Sequence, residues 1–170
     1  GGVCPAAMTD LTNAPVAGGG AADRVEPLPD ALLLRMHELM LTSRLVEERL
    51  IRMQKQGQGF FWIGGPGEEA FNVALGLLVK KGHGLDHDYM HLHYRSSPTI
   101  LAMGADPVDT LRLMANVATD PYTGGRNFAG HYSIREWNVC PITSPIETQY
   151  SICIGTAIAQ RRHGGDGITI

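Results

Sequence analysis

The sequence predicts an α/β fold, a parallel sheet flanked by helices, and three observations carry that expectation. Between Asp88 and Gly104 a period-two run, Tyr89-Met90-His91-Leu92-His93-Tyr94, meets a polar turn and then a short helical segment. Around it lie stretches whose apolar residues recur at three- and four-residue steps, as amphipathic helices require. The chain closes on Gly167-Ile168-Thr169-Ile170, a β-branched start of a strand that follows a helical pattern. That strand breaks off without a closing helix, so a piece of a longer chain is expected.

Residues 1–27 are rich in Gly, Ala, Pro and Thr, include Gly18-Gly19-Gly20 and lack an apolar period. They read as a flexible tail, leaving 28–170 as the folded part. Met8 could be the natural start, with the residues before it an extension. Pro29 and Asp30 open the first long helix. Leu33, Met36, Met40, Val46, Leu50 and Met53 form its apolar stripe, and Arg44, Glu47, Glu48 and Arg52 its polar face. It stops by Gly57, and its role is packing, as a brace or subunit contact. The stretch GQGFFWIGGPG gives a turn, a short aromatic segment and a glycine loop, and Glu68-Glu69-Ala70 begins a helix to about Val79. Acids in that first turn suit the helix dipole but would repel a phosphate, and the loop lacks the Lys-Ser/Thr of a P-loop. A tight turn into a helix is the reading.

His83, His87, His91 and His93 follow. Steps of four would align imidazoles on a helix, but Gly82 and Gly84 oppose a helix and no zinc spacing matches, so they are placed on a loop and a strand face. Where the strand meets the turn stand Tyr94 and Arg95. Ser97 can cap the next helix, Pro98 suits its first turn and Gly104 ends it. The carboxyl end of a strand at a helix N-terminus collects anions, and the planar Arg95 fork fits phosphate or carboxylate. Arg95 could equally be a surface residue paired with a nearby acid.

Asp106-Pro107-Val108-Asp109 starts a further helix, to about Val117, that exposes Arg112 and buries Leu111, Leu113 and Met114. A loop from Asp120 to Gly130 leads to His131-Tyr132. His131 could act as acid, base or phosphate donor, or simply be held by hydrogen bonds. Thr143-Ser144-Pro145-Ile146-Glu147-Thr148-Gln149 opens the last helix, with Ser151, Gly155, Ala157 and Ala159 permitting close packing. This polar turn could hold a polar ligand or a monovalent cation; Ser144 and Thr148 could equally be caps. Gly164-Gly165-Asp166-Gly167 fits a helix-to-strand turn, since no second acid or Asn follows to complete a cation site.

Hydrophobic residues make up 44% and charged residues 18% of the 170, and the formal charge is −3. That composition suits one globular domain or most of one, and no basic block points to nucleic acid or an anionic membrane surface. No apolar run has the length of a membrane span, and no secretory pattern is visible at the N-terminus. Cys4, Cys140 and Cys153 are odd in number and far apart, which predicts free thiols in a reducing compartment; cytoplasm is expected.

The pieces GGPGEEA, HYRSSPTILAMG, GGRNFAGHYS and ITSPIETQYSICIGTAIAQ, in this order and spacing, resemble the alpha subunit of the 2-oxo acid dehydrogenase first component. The resemblance covers about Pro29 to Ile170. It implies a thiamine-diphosphate-binding fold and an α2β2 heterotetramer with a beta subunit. The implied reaction is oxidative decarboxylation of a 2-oxo acid, branched-chain or pyruvate, with acyl transfer to a lipoyl-bearing acyltransferase. Carried over position by position, Tyr94 and Arg95 would contact the cofactor diphosphate, and Ser144 and Ile146 would present backbone groups to the aminopyrimidine. Thr143, Thr148 and Gln149 would match a potassium (K+) site, and His131 would lie near the reacting carbonyl as the catalytic residue. The magnesium (Mg2+) ligands would lie beyond residue 170, and the activating glutamate would belong to the beta subunit. His93 and Glu147 depart from the residues common at those places. Ser144-Pro145-Ile146 leans towards branched-chain members. The alternatives are an inactive partner-binding module and a transketolase-like half.

Overall fold

The computed structural model describes residues 27–170. All of the expected tail but Pro27, with Cys4 and Met8, lies outside the described residues. The elements in order are α1 (Asp30–Lys55), α2 (Glu69–Leu78), α3 (Ser97–Ala102), α4 (Pro107–Met114), a 3-10 turn (Arg135–Trp137) and α5 (Thr148–Arg162).

Among the described residues the expected parallel sheet is reduced to isolated bridges, Tyr89 with Thr169 and Met90 with Val139 in parallel, and Ile134 with Val139 antiparallel. The segment 89–91 is nonetheless paired on both sides. Tyr89 N–H donates to Ile168 O at 2.8 Å, Met90 N–H to Asn138 O at 3.0 Å and Cys140 N–H to Met90 O at 2.9 Å. No ladder grows from this, because the chain turns at Tyr94-Arg95 shortly after His91 and leaves the register for α3. The alternation itself holds. Met90, Leu92 and Tyr94 face the core, whereas Tyr89, His91 and His93 are half-buried.

α1 has the expected bounds, but it is buried only from Leu39 onward. Val46, Leu50 and Met53 are buried against Met114 and Ala129, whereas Leu33 lies in the open. Glu47, expected on the polar face, is buried at 5% exposure between Ser43 and Leu50. A stripe drawn from Leu39, Ser43 and Val46 carries it inward, because residues four apart share a face whatever their polarity.

α2 and α3 make the closest contact. A Cβ on Gly76 would sit 2.7 Å from the Ala102 Cβ, so only glycine lets the two backbones meet. Beside it Thr99 donates to Asn72 Oδ1 at 2.9 Å, both side chains essentially without exposure. Ser96 takes the cap position of α3 in place of Ser97, with Pro98 in the first turn as expected. Asp106 caps α4 by accepting from Val108 N–H at 2.8 Å. α4 ends at Met114, short of Val117, because Asn116 adopts a left-handed conformation with φ of 51°.

α5 begins after Glu147, itself left-handed at φ 71°, and no side chain caps it. The cap roles weighed for Ser144 and Thr148 are therefore not realised: Thr148 is already helical, and the Ser144 hydroxyl bonds elsewhere. Ser151, Gly155, Ala157 and Ala159 are all exposed, so among the described residues they mediate no close packing. Of the residues of α5 only Gln149 and Gln160 are buried. Beyond it, of the expected Gly164-Gly165-Asp166-Gly167 turn, the structure turns at His163-Gly164, with Gly164 left-handed at φ 71°, and 165–167 run on as irregular backbone. Asp166 pairs with Lys80 at 2.9 Å, and a Cβ on Gly165 would lie 2.5 Å from Leu85 O. No helix of the described residues is long and apolar enough to cross a membrane.

Candidate functional site

Four chain segments converge where 89–94 runs into α3: the aromatic stretch before the glycine loop, the Tyr94-Arg95 turn, the loop of His131 and the loop of Ser144. Between them lies a pocket of about 510 Å³. Phe60, Phe61, Ile63 and Phe128 line its apolar wall, and Tyr94, His131 and Ser144 its polar side.

Arg95 is half-buried, and its Nε donates to Gly64 O at 3.2 Å while the guanidinium lies 5.0 Å from the Tyr94 ring centre. Among the described residues it makes no ion pair, so the surface-pair alternative is not what the fold shows. One edge of its fork is tied to backbone through Nε. The loop that supplies Gly64 is clamped from behind. Glu47 accepts from Trp62 Nε1–H at 2.9 Å and packs against Gly64. Glu69 accepts from Gly67 N–H at 2.8 Å and from Arg44 at 2.7 Å. Burial pushes the Glu47 carboxyl above the usual range, whereas the Arg44 guanidinium holds Glu69 below it. These acids sit on the Arg95 anchor, and the sequence reading missed them. The signal available for Glu47 was its place four residues after Ser43 and three before Leu50.

His131 is buried at 6% exposure. Its Nδ1 lies 3.0 Å from Ala129 O and its Nε2 2.6 Å from Ser144 Oγ. The Tyr94 ring stacks on it at 5.9 Å with an interplanar angle of 17°, and Phe128 meets it edge-on at 6.0 Å. Gly130 makes this approach possible: at φ 76° its Cβ would stand 2.6 Å from Tyr94 O. Tyr94, His131 and Ser144 thus share one pocket, with Arg95 one residue away from it along the turn. Ile146 lies in the same loop, 66% exposed.

Thr143 and Gln149 also meet, Gln149 Nε2 donating to Thr143 O at 3.3 Å. The Thr143 hydroxyl is buried without a hydrogen-bond partner among the described residues. Thr148 is half-buried at the adjoining start of α5. The four histidines do not converge. His83 reaches Arg135 O and His91 reaches Thr156 Oγ1, while His93 accepts from Arg95 N–H. Burial lowers the His91 pKa; His93 is lowered by burial and by the Arg95 charge. Among the described residues no cluster of His, Cys, Asp or Glu is disposed to hold a metal ion.

The family described as dehydrogenase E1 component matches residues 37–170. The chain belongs to that family. It is 29% identical over 139 residues to the 2-oxoisovalerate dehydrogenase subunit alpha of Bacillus subtilis, an alignment covering 82% of this chain and 41% of that protein. It is 27% identical to the mitochondrial 2-oxoisovalerate dehydrogenase subunit alpha 1 of Arabidopsis thaliana, over 85% of this chain and 29% of that one. It is 25% identical to the 3-methyl-2-oxobutanoate dehydrogenase subunit alpha of Mycobacterium tuberculosis, over 84% and 35%. The chain therefore spans between 29% and 41% of the length of these relatives. The dehydrogenase family match includes the whole pocket, the Arg95 turn and the Thr143–Gln149 pair.

Proposed function

We propose that this chain forms the cofactor-holding front of an alpha subunit that, with a beta subunit, decarboxylates a branched-chain 2-oxo acid. The observation that carries the reading is the Arg95 fork, oriented by Gly64 and free of any acid partner among the described residues, beside an aromatic pocket holding His131. An uncommitted guanidinium of fixed orientation matches the paired oxygens of a diphosphate. Names of relatives built on 2-oxoisovalerate and 3-methyl-2-oxobutanoate favour a branched-chain substrate over pyruvate.

Thiamine diphosphate, when bound, supplies the electron sink that lets the carboxylate of a 2-oxo acid leave as carbon dioxide. Tyr94 and Arg95 would hold its diphosphate, and the backbone at Ser144 and Ile146 would face its pyrimidine. The apolar wall of Phe60, Phe61, Ile63 and Phe128 would lie against the branched side chain of the substrate. His131 holds or returns a proton at its Nε2 as the acyl group passes to a lipoyl arm of an acyltransferase partner. Potassium would take the Thr143, Thr148 and Gln149 oxygens. Magnesium finds no suitable donor set among the described residues.

Arg95→Ala, made in the full-length subunit assembled with its beta partner, tests the reading. Losing a charge-assisted pair of hydrogen bonds, worth about 1.5–3 kcal/mol, should raise the thiamine diphosphate Kd roughly 10- to 100-fold in a calorimetric titration. Unchanged affinity would remove Arg95 from the cofactor site and with it the main support for this function.

A further inference from the structure

We infer that the Ser144 side chain, distinct from the backbone role given to that residue above, is the positioning residue of His131. Ala129 O leaves Nε2 as the basic ring nitrogen, and the Ser144 hydroxyl holds that nitrogen in its direction. The inference rests on the reading of the pocket as the reaction site.

The chemistry of the partners assigns the tautomer. A carbonyl oxygen can only accept, so the contact of 3.0 Å to Ala129 O requires the proton on Nδ1. Nε2 of the neutral ring then carries the lone pair, and the Ser144 hydroxyl at 2.6 Å donates to it. When Nε2 gains a proton, the same hydroxyl can turn and accept from it, so the ring keeps its orientation through a protonation cycle. Tyr94 stacks on the ring and Phe128 meets it edge-on, but a half-turn about Cβ–Cγ would keep that plane while exchanging nitrogen for carbon at each ring edge. Among the described residues the hydrogen bonds to Ala129 O and Ser144 Oγ oppose that flip. They approach from opposite edges of the ring and from different loops, one before His131 and one after it.

The side chains differ in exposure in a way that suits the roles. His131 is buried, whereas Ser144 lies at the pocket mouth, exposed enough for a substrate oxygen to displace its hydroxyl from Nε2. The imidazole is therefore pre-aimed while the pocket is empty and released towards the reactant once the pocket fills. Pre-aiming of this kind keeps the proton-transfer geometry without reorganisation at the moment of reaction.

The test compares Ser144→Ala and Ser144→Thr in the full-length subunit assembled with its beta partner. A positioned proton-transfer group contributes about 10²–10⁴-fold, so its loss of aim in Ser144→Ala should lower kcat on the order of tenfold. The cofactor Kd should stay within about twofold, because the backbone at residue 144 is retained. Ser144→Thr, which keeps the hydroxyl, should restore turnover. His131→Ala should mask the change, the double variant being no slower than His131→Ala alone. A second readout is independent of activity: carbethoxylation of His131 by diethyl pyrocarbonate, mapped by mass spectrometry, should be faster in Ser144→Ala because Nε2 is uncovered. Wild-type turnover together with an unchanged kcat in Ser144→Ala, or a loss that adds to that of His131→Ala, would overturn the inference. So would a carbethoxylation rate equal to wild type. Absence of cofactor-dependent turnover in the wild type would instead sink the proposed function, and the carbethoxylation rates would still decide the role of Ser144.

Discussion

Gly130 shows how one residue without a side chain places a catalytic candidate. With φ at 76° it occupies backbone space that other residues enter at a cost, and its Cα faces the Tyr94 carbonyl closely enough that a Cβ would stand 2.6 Å from that oxygen. The Tyr94 carbonyl belongs to the turn that aims Arg95, so a side chain at 130 would push on both halves of the site. Gly130→Ala should cost about 1–3 kcal/mol in backbone strain alone. Thermal unfolding of the assembled protein should register that loss, and the cofactor Kd should rise with it. A variant as stable as wild type with normal affinity would show that the loop shifts freely, contrary to this geometry. Nothing in the sequence singles out Gly130 among its neighbouring glycines, because the atom that demands it lies thirty-six positions away in the chain.

At the scale of elements the glycine loop between α1 and α2 is the informative piece. It forms the tight turn into a helix that the sequence predicts, with Glu69 in the first turn of α2 committed to Arg44 and to Gly67 N–H. The role of Glu47 was not legible, since a charged residue in a helix is ordinarily placed on the wet face. Here α1 packs on α2, α3 and α4 along a stripe that includes it. The two acids respond to pH in opposite senses. Glu69 is depressed, so its ion pair stabilises above the unfolded carboxyl pKa and is lost as pH falls through the folded value. Glu47 is raised, so its folded form prefers the proton; the cost of ionising it is absent in acid and complete once pH exceeds its folded value. Glu47→Gln retains an acceptor for Trp62 and removes the buried charge. Its Tm should exceed that of wild type at pH 8, and the gap should close as pH is lowered towards 4.5, the ordinary value for that carboxyl. A wild type that is the more stable at pH 8 would mean that the Trp62 bond outweighs the burial cost.

For the molecule as a whole, packing concentrates where α1 to α4 meet the 89–94 segment, and α5 lies largely in the open with Tyr150, Ile154 and Ile158 exposed. The potassium reading can be tested at this scale, because an ion that binds only the folded state stabilises all of it. With potassium at about 100 times its Kd the gain is about 2.7 kcal/mol. The assembled protein should therefore melt at a higher temperature in potassium chloride than in sodium chloride of equal ionic strength. Thr143→Val should abolish the difference, since the buried hydroxyl that has no partner is gone. Equal melting temperatures of the wild type in the two salts would leave Thr143, Thr148 and Gln149 as ordinary parts of the α5 start.

The sequence by itself determined the local elements and the family. The period of two over 89–94, the Asp106 cap, the stop of α1 before Gly57 and the order of the YR, GGR and SPIETQ pieces are all short-range patterns. Helix turns, caps and alternation are set within a few residues, so they survive without knowledge of the rest of the chain. Tertiary structure alone decided that Glu47 is inside, that Ser144 serves His131 and not the α5 cap, and that 89–91 is bridged on both sides without growing into a ladder. Each of those outcomes depends on which distant segment arrives to share a hydrogen bond or exclude water. No local period carries that information.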